Sequence, residues 1–316
     1  MRQFKRARQL KEGAATQRGR GKQRPYKWGS CDQILGCPRK EVKGDRERSV
    51  LWSFGYSVFM LFLGLDLAWG PKNTSGGCAV LWDGARASLL DVTETLGNDE
   101  DILAWVQRWD AEAGTEGLLL GVDAPLLVPN ETGKRPCETE LGRRYARFQA
   151  GAHPANRTIF GGDVRGERLL PRLAQLEIAH SPYLSLPGQS GVRQAMEVFP
   201  HPAHVELFGL ARTLKYKNKP GRDYPSRWAA FGEYARHLRL LAEELALDLP
   251  NNWPPADFTG RIGGGLKRTE DGLDALSCAY IVLWYWQRGA AGAEVIGDMA
   301  EGYVVVPTRR VEGGVQ

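Results

Sequence analysis

The feature that most constrains this chain is an acid at the end of an apolar strand. The run Leu61-Phe-Leu-Gly-Leu-Asp66-Leu67 is apolar except for one carboxylate. A continuous apolar run of this length reads as a strand buried on both faces. A lone buried carboxylate is costly unless it is paired, protonated or bound to a cation. The pattern recurs. Asp123 ends the apolar run 117–123, in Gly121-Val-Asp-Ala-Pro, and Glu197 sits inside a third run, Met196-Glu-Val-Phe-Pro. Asp271 and Asp274 stand near the start of a helical stretch, Asp271-Gly-Leu-Asp-Ala-Leu. At i and i+3 they share one helix face. Each acid alone has an ordinary reading: a turn former at Asp123, an ion pair with an arginine at Glu197, a favourable helix N-terminus at Asp271. Five acids on three strands and one helix are better explained by convergence, because site residues in open α/β sheets gather at strand ends. Oxygen donors without a matching Cys or His set point to a hard cation, Mg2+ or Mn2+.

The remaining pattern supplies the frame. Strands are expected at 61–67, 76–82 and 85–92, the first two joined by the Pro71-Lys-Asn-Thr-Ser-Gly76 turn. Asn98 caps a helix to about 113, with Asp99, Glu100 and Asp101 in its first turn. A strand at 117–123 comes next, then a polar insertion at 129–135. Helices are expected at 136–151, 167–180, 226–247 and 269–287, with strands at 194–199, 294–296 and 303–306. The triplet Gly263-Gly-Gly265 precedes the last helix. Three antiparallel strands followed by alternating helices and strands predict an α/β fold with a mixed sheet. The Leu283-Trp-Tyr-Trp286 run reads as core rather than a base-stacking platform.

Charge separates the chain into two parts. Residues 1–59 carry 15 basic and 5 acidic side chains, and residues 60–316 carry 27 and 32. The basic balance therefore belongs to the N-terminal segment, which is expected to be a disordered extension, and the acidic body gives no charge argument for nonspecific nucleic-acid binding. The uncharged stretch 49–65 is shorter than a membrane span and overlaps the first strand, so no membrane partner is expected. The five cysteines are widely spaced, without a C-x-x-C pair. That suits a reducing cytoplasm. Met60 stands where the composition changes, and the working protein is expected to begin near it.

The motifs Gly64-Leu-Asp-Leu-Ala-Trp-Gly70, Val122-Asp-Ala-Pro-Leu-Leu-Val-Pro-Asn-Glu-Thr-Gly133 and Arg135-Pro-Cys137 resemble a known family, as do Ala150-Gly-Ala-His-Pro-Ala-Asn-Arg157, Glu197-Val-Phe-Pro200, Leu214-Lys-Tyr-Lys217 and Asp271-Gly-Leu-Asp-Ala275. The family is that of predicted RNase H-like bacterial nucleases known as domain of unknown function 429, and the likeness runs from about 61 to 308. The Asp-x-x-Asp-Ala-Leu helix is also similar to that of RuvC-type resolvases. The resemblance implies a single RNase H-like domain over 60–316: a mixed sheet, antiparallel hairpin strands then parallel strands, flanked by helices and carrying helical insertions. It implies a metal-dependent nuclease acting on DNA or RNA. Asp66 would bridge two cations about 4 Å apart, with Asp123 or Glu197 on one side and Asp271 and Asp274 on the other. Arg135, Arg157, Lys215 and Lys217 are candidates for the scissile phosphate, and His153 for a proton shuttle or substrate contact. Arg143 and Arg147, at i and i+4, are candidates for tracking a backbone. His201 and His204 form H-x-x-H without the Glu base of helical zinc motifs, so no zinc site is expected. Two other classes compete: a non-catalytic binding or regulatory protein on the same fold, and an ATP-dependent phosphotransferase of the actin and sugar-kinase superfamily. For the latter, Gly263–Gly265 is the only candidate phosphate loop.

Overall fold

The computed structural model describes residues 58–70 and 73–309. The expected N-terminal extension, up to residue 57, and the Pro71-Lys72 half of the first turn lie outside the described residues.

The apolar run forms β1 (Met60–Asp66), fully buried until its last residue. Antiparallel neighbours β2 (Ser75–Trp82) and β3 (Ala87–Leu96) complete a meander. Helix α1 (Asp99–Ala113) then carries the chain across to β4 (Gly117–Val122), parallel to β1. Asn98 closes a capping box with Asp101, and Gly114 ends the helix at φ 55°, the left-handed value glycine tolerates. Helices α2 (Pro136–Tyr145), α3 (Arg157–Phe160) and α4 (Arg165–Ala174) fill the stretch before β5 (Ala179–His180) and β6 (Arg193–Glu197). After β6 come α5 (Pro200–Phe208), α6 (Tyr224–Glu244), the short β7 (Leu247–Asp248) and α7 (Gly263–Arg288). The main sheet has the order β5-β6-β4-β1-β2-β3-β7. It is an α/β fold with a mixed sheet flanked by helices, consistent with an RNase H-like arrangement. A separate antiparallel pair, β8 (Ala293–Asp298) and β9 (Gly302–Pro307), comes after α7.

Several elements differ from expectation: the helices expected at 136–151 and 167–180 end at Tyr145 and Ala174, and His180 lies in β5. Strand 194–199 stops at Glu197, and Pro200 opens α5 instead of a loop; proline lacks only an N–H that the first helical turn leaves unbonded anyway. Helix α7 begins at Gly263, so the glycine triplet is its first turn rather than a separate loop. Asp271 is therefore two turns inside the helix, and the favourable N-terminus does not explain it. Nor is α7 amphipathic. From Thr269 to Trp286 every residue is buried, because the sheet lies on one side and α6 on the other. Met60, Phe62 and Val80 meet Leu276, Tyr280 and Leu283 in a core that includes Phe231 and Leu238 of α6. Trp284, Tyr285 and Trp286 belong to this core, Trp286 lying edge-on to Phe62 and Trp82. Among the described residues no helix is long and apolar enough to cross a membrane.

What lets α7 lie so close is a line of three glycines on neighbouring strands. A Cβ on Gly64 of β1 would fall 2.0 Å from the Ala275 carbonyl oxygen, one on Gly76 of β2 2.2 Å from that of Asp271, and one on Gly121 of β4 2.7 Å from that of Cys278. These contacts are with helix backbone, which cannot rotate away. Gly64→Ala is accordingly expected to cost about 3 kcal/mol, the upper end of what an overpacked core loses. The urea-unfolding midpoint checks this, and an unchanged midpoint would show that helix and sheet are not in such contact.

Candidate active site

The glycine line delivers the acids to one place. Asp66 is the last residue of β1, on the face that α7 covers, and pairs in register with Gly76, which lies directly under Asp271. Asp123 comes directly after β4, its N–H donating to the Leu65 carbonyl at 2.8 Å. Asp271 and Asp274 come from α7, both buried. The Asp271 charge acts on Asp66 and helps to raise its carboxyl.

Electrostatics confirm the crowding. Burial pushes the Asp66 carboxyl well above its ordinary range, and the Asp274, Asp123 and Asp271 charges add to it against the opposing Lys217 ammonium. Burial also lifts Asp123 to about 7, opposed by Lys217 and reinforced by Asp274 and Glu197. Asp271 is raised by burial despite its bond to Lys267. Asp274 is the exception. Burial works to raise it, yet Lys217, His204 and His201 together hold it below the usual carboxylate range.

Two lysines sit among the acids. Lys217 Nζ lies 2.9 Å from Asp274 Oδ2. Lys267 pairs with Glu270 at 3.0 Å and with Asp271. The other oxygen of Asp274 accepts from the Tyr216 hydroxyl at 2.8 Å and the Tyr234 hydroxyl at 3.0 Å. Behind them Tyr234 shares a 2.6 Å hydrogen bond with Ser277, which is bonded to His204 Nε2 at 2.9 Å. The H-x-x-H pair thus lies on α5 facing this network. His204 is buried with its Nδ1 unbonded, and desolvation lowers its pKa to about 3, which leaves the ring neutral.

Glu197, at the end of β6, is held differently. Arg135 Nη2 donates to its Oε1 at 2.6 Å, while Arg135 Nη1 and the Leu126 N–H donate to its Oε2 at 2.9 Å each. Arg135 Nε donates to Glu138 at 2.9 Å, and Nη1 also reaches the Leu127 carbonyl. All three residues are buried. The ordinary reading of Glu197 as an arginine's partner is the one its geometry matches, and Arg135 is a structural cation rather than a surface waiting for phosphate. A cleft lined by Trp69, Asp123, Pro125, His153, Glu197 and Phe199 opens here. Asp123 therefore belongs both to the acid cluster and to this cleft. The other basic candidates stand apart: Arg157 pairs with Glu167 at 2.8 Å, Lys215 is exposed while its neighbour Tyr216 is buried, and Arg143 pairs with Glu140 at 2.6 Å. Arg147 lies over the Phe148 ring, so it and Arg143 form no shared track.

Glu270, Lys267, Tyr216, Tyr234 and His204 were not among the expected site residues. Lys267 and Asp271 at i and i+4 were visible in the sequence as a helical ion pair. The tyrosines carry no such signal, since their role comes from α6 and the strap before it folding over α7.

Among the described residues no three His, Cys, Asp or Glu side chains are gathered as a ready metal-ligating group. The donor set nevertheless suits a hard dication: Asp66, Asp123, Glu270, Asp271 and Asp274 outnumber two ammoniums, and every anionic donor is oxygen. Asp274 Oδ2 has Lys217 Nζ at 2.9 Å, but Glu270 Oε2 is buried without a hydrogen-bond partner. A buried oxygen left in this state is unusual and invites a cation.

The model of a family described as Protein of unknown function (DUF429) matches residues 64–300. No curated protein and no solved structure matches the chain.

Removing the Arg135 charge would strand Glu138 and Glu197 in the interior. Arg135→Met is expected to cost about 3–5 kcal/mol, the range for breaking a buried ion pair from one side, and Glu197→Gln added to it should recover part of the loss. Urea unfolding of the single and double variants measures both; a loss under about 1 kcal/mol for Arg135→Met would rule out the buried pairing.

Proposed function

The chain belongs to the family described as Protein of unknown function (DUF429), and from its site we propose that it is a divalent-metal-dependent hydrolase of nucleic-acid phosphodiesters. The observation that carries this reading is the gathering of Asp66, Asp123, Asp271 and Asp274 from two strand ends and one helix, with most of these carboxyls pushed above their ordinary range. Each ionised carboxylate taken out of water costs several kcal/mol unless compensated. Structural acids are paired directly, as Glu138 and Glu197 are by Arg135. These acids are left with a surplus of negative charge, which a dication relieves.

Asp66, Asp123 and Asp271 are the residues that would hold Mg2+ or Mn2+, with Asp274 beside them paired to Lys217. When bound, such an ion acidifies a water and neutralises charge on the phosphate and leaving oxygen. The protein's own part is positioning. The glycine contacts fix Asp271 and Asp274 against the sheet, and the Leu65 carbonyl fixes the Asp123 backbone. The adjoining cleft, about 70 Å³, is smaller than a nucleotide, so only its rim could meet one. Trp69 is 44% exposed at its edge and Phe199 lines it, offering apolar ring faces for a base, with His153 beside them. Its Glu138 and Glu197 share Arg135, which offsets one of their two charges.

The test offers single-stranded and duplex DNA and RNA to the full chain with Mn2+ or Mg2+. Cleavage is expected, abolished by chelation. Loss of second-layer partners of a metal site costs 10–100-fold, so Asp66→Asn, which alters a direct ligand, should lose at least ~100-fold. In chelator the variant should melt no lower than wild type, because an amide replaces an acid whose ionised form is already disfavoured. A folded protein that takes up Mn2+ and cuts none of these substrates would refute the hydrolase reading and favour a binding protein on the same fold.

A further inference from the structure

The two lysines among the acids are not equivalent. Lys267 stands on the same helix as its partners with its side chain 57% exposed, and it can swing into water. Lys217 cannot do so as readily. Its side chain is 27% exposed, and the backbone that delivers it is bonded on both sides. Arg227 Nε donates to the Tyr216 carbonyl at 2.9 Å, and Arg222 donates to the carbonyl of Lys217 itself at 3.0 Å. The Tyr216 ring is buried and its hydroxyl is tied to Asp274. The strap therefore presents the ammonium from a fixed base.

The acids also divide into two groups. Asp274 is occupied: Oδ1 by two tyrosine hydroxyls, Oδ2 by the Lys217 ammonium at 2.9 Å. Asp66 and Asp123 have no side-chain cation at contact distance among the described residues, and Asp271 has only the exposed Lys267. Lys217 is felt electrostatically at Asp66, Asp123 and Glu270 as well as at Asp274. Its close contact in the cluster is with Asp274. A cation on that side would have to share Oδ2 with an ammonium, and like charges at such a distance repel strongly in a partly dry site.

We propose that Lys217 stands permanently where a second cation would otherwise sit, so that the centre takes up one divalent ion, on the Asp66, Asp123 and Asp271 side. This rests on the metal-dependent reading above and departs from the two-cation expectation drawn from the family resemblance. Glu270 Oε2, buried and without a hydrogen-bond partner, supports the presence of an ion beside the lysines. Lys217 is on this account a positioning residue. Its charge confines the ion to one half of the cluster and keeps Asp274 ionised without a metal of its own.

The test is stoichiometry rather than turnover. The full chain is titrated with Mn2+ by calorimetry, and the bound ions are examined by electron paramagnetic resonance, which distinguishes an isolated Mn2+ from a spin-coupled pair. Wild type is expected to bind one uncoupled Mn2+ per chain. Lys217→Gln should bind two, with a coupled signal, because Asp274 Oδ2 loses its counter-charge; Lys217→Arg should remain at one. Two coupled ions in wild type would overturn the proposal and leave the hydrolase reading standing, since the lysine would then be displaced by metal. One ion in both wild type and a folded Lys217→Gln would overturn it too. No Mn2+ in wild type would remove both readings. If Lys217→Gln does not fold, the wild-type count and the Lys217→Arg count still decide.

Discussion

The distance between one helix backbone and three strands governs the rest of this structure. Helix α7 touches the sheet through the carbonyls of Asp271, Ala275 and Cys278, over Gly76, Gly64 and Gly121. Side chains at those positions would lift the helix, and its acids, away from Asp66. The close approach has an electrostatic consequence, because it brings carboxylates from different elements together in a partly buried site where screening is weakened. The fold thus sets up a repulsion that its core packing must withstand. The buried face of α7, with Leu276, Tyr280 and Leu283 against Phe62 and Val80, is the apolar contact that withstands it.

The chain deals with buried acids in three ways within one strand-end region. Glu197 receives a bidentate arginine and a backbone N–H, the same arginine also pairing with Glu138. Asp274 receives two hydroxyls and an ammonium, and it is held ionised below its ordinary range. Asp66 and Asp123 receive neither and are pushed up. Their compensation must come from protons or from an added cation. Burial raises Glu197 as well, so what distinguishes Glu197 and Asp274 from Asp66 and Asp123 is a cation in direct contact.

Much of the frame was legible from periodicity and from misplaced charge. The apolar run 61–67, the Asn98 cap and the antiparallel meander arise from local pattern, and the structure has them. Asp66, Asp123, Asp271 and Asp274 were recognisable because an acid in an apolar context needs a reason. Helix α5 was not, because Pro200 looks like a strand terminator, and the same proline starts a helix only when the residues after it pack as one. The start of α7 was hidden by its glycines, which are poor helix formers. Arg135 reads in the sequence as one more surface cation; only the fold shows that Glu138 and Glu197 enclose it. The tyrosines on Asp274 were likewise invisible, since long-range packing of α6 and the strap on α7 places them.

The partition of charge along the strand ends also bears on what enters the site. On one side of Asp123 lie Asp66 and Asp271, anionic and short of donors. On the other lies a cleft whose buried Glu138 and Glu197 share Arg135 and whose lining includes Trp69 and Phe199. Under the proposed function a phosphate would approach the acids only when a cation neutralises them, and Asp123 is the side chain that the acid cluster and the cleft share.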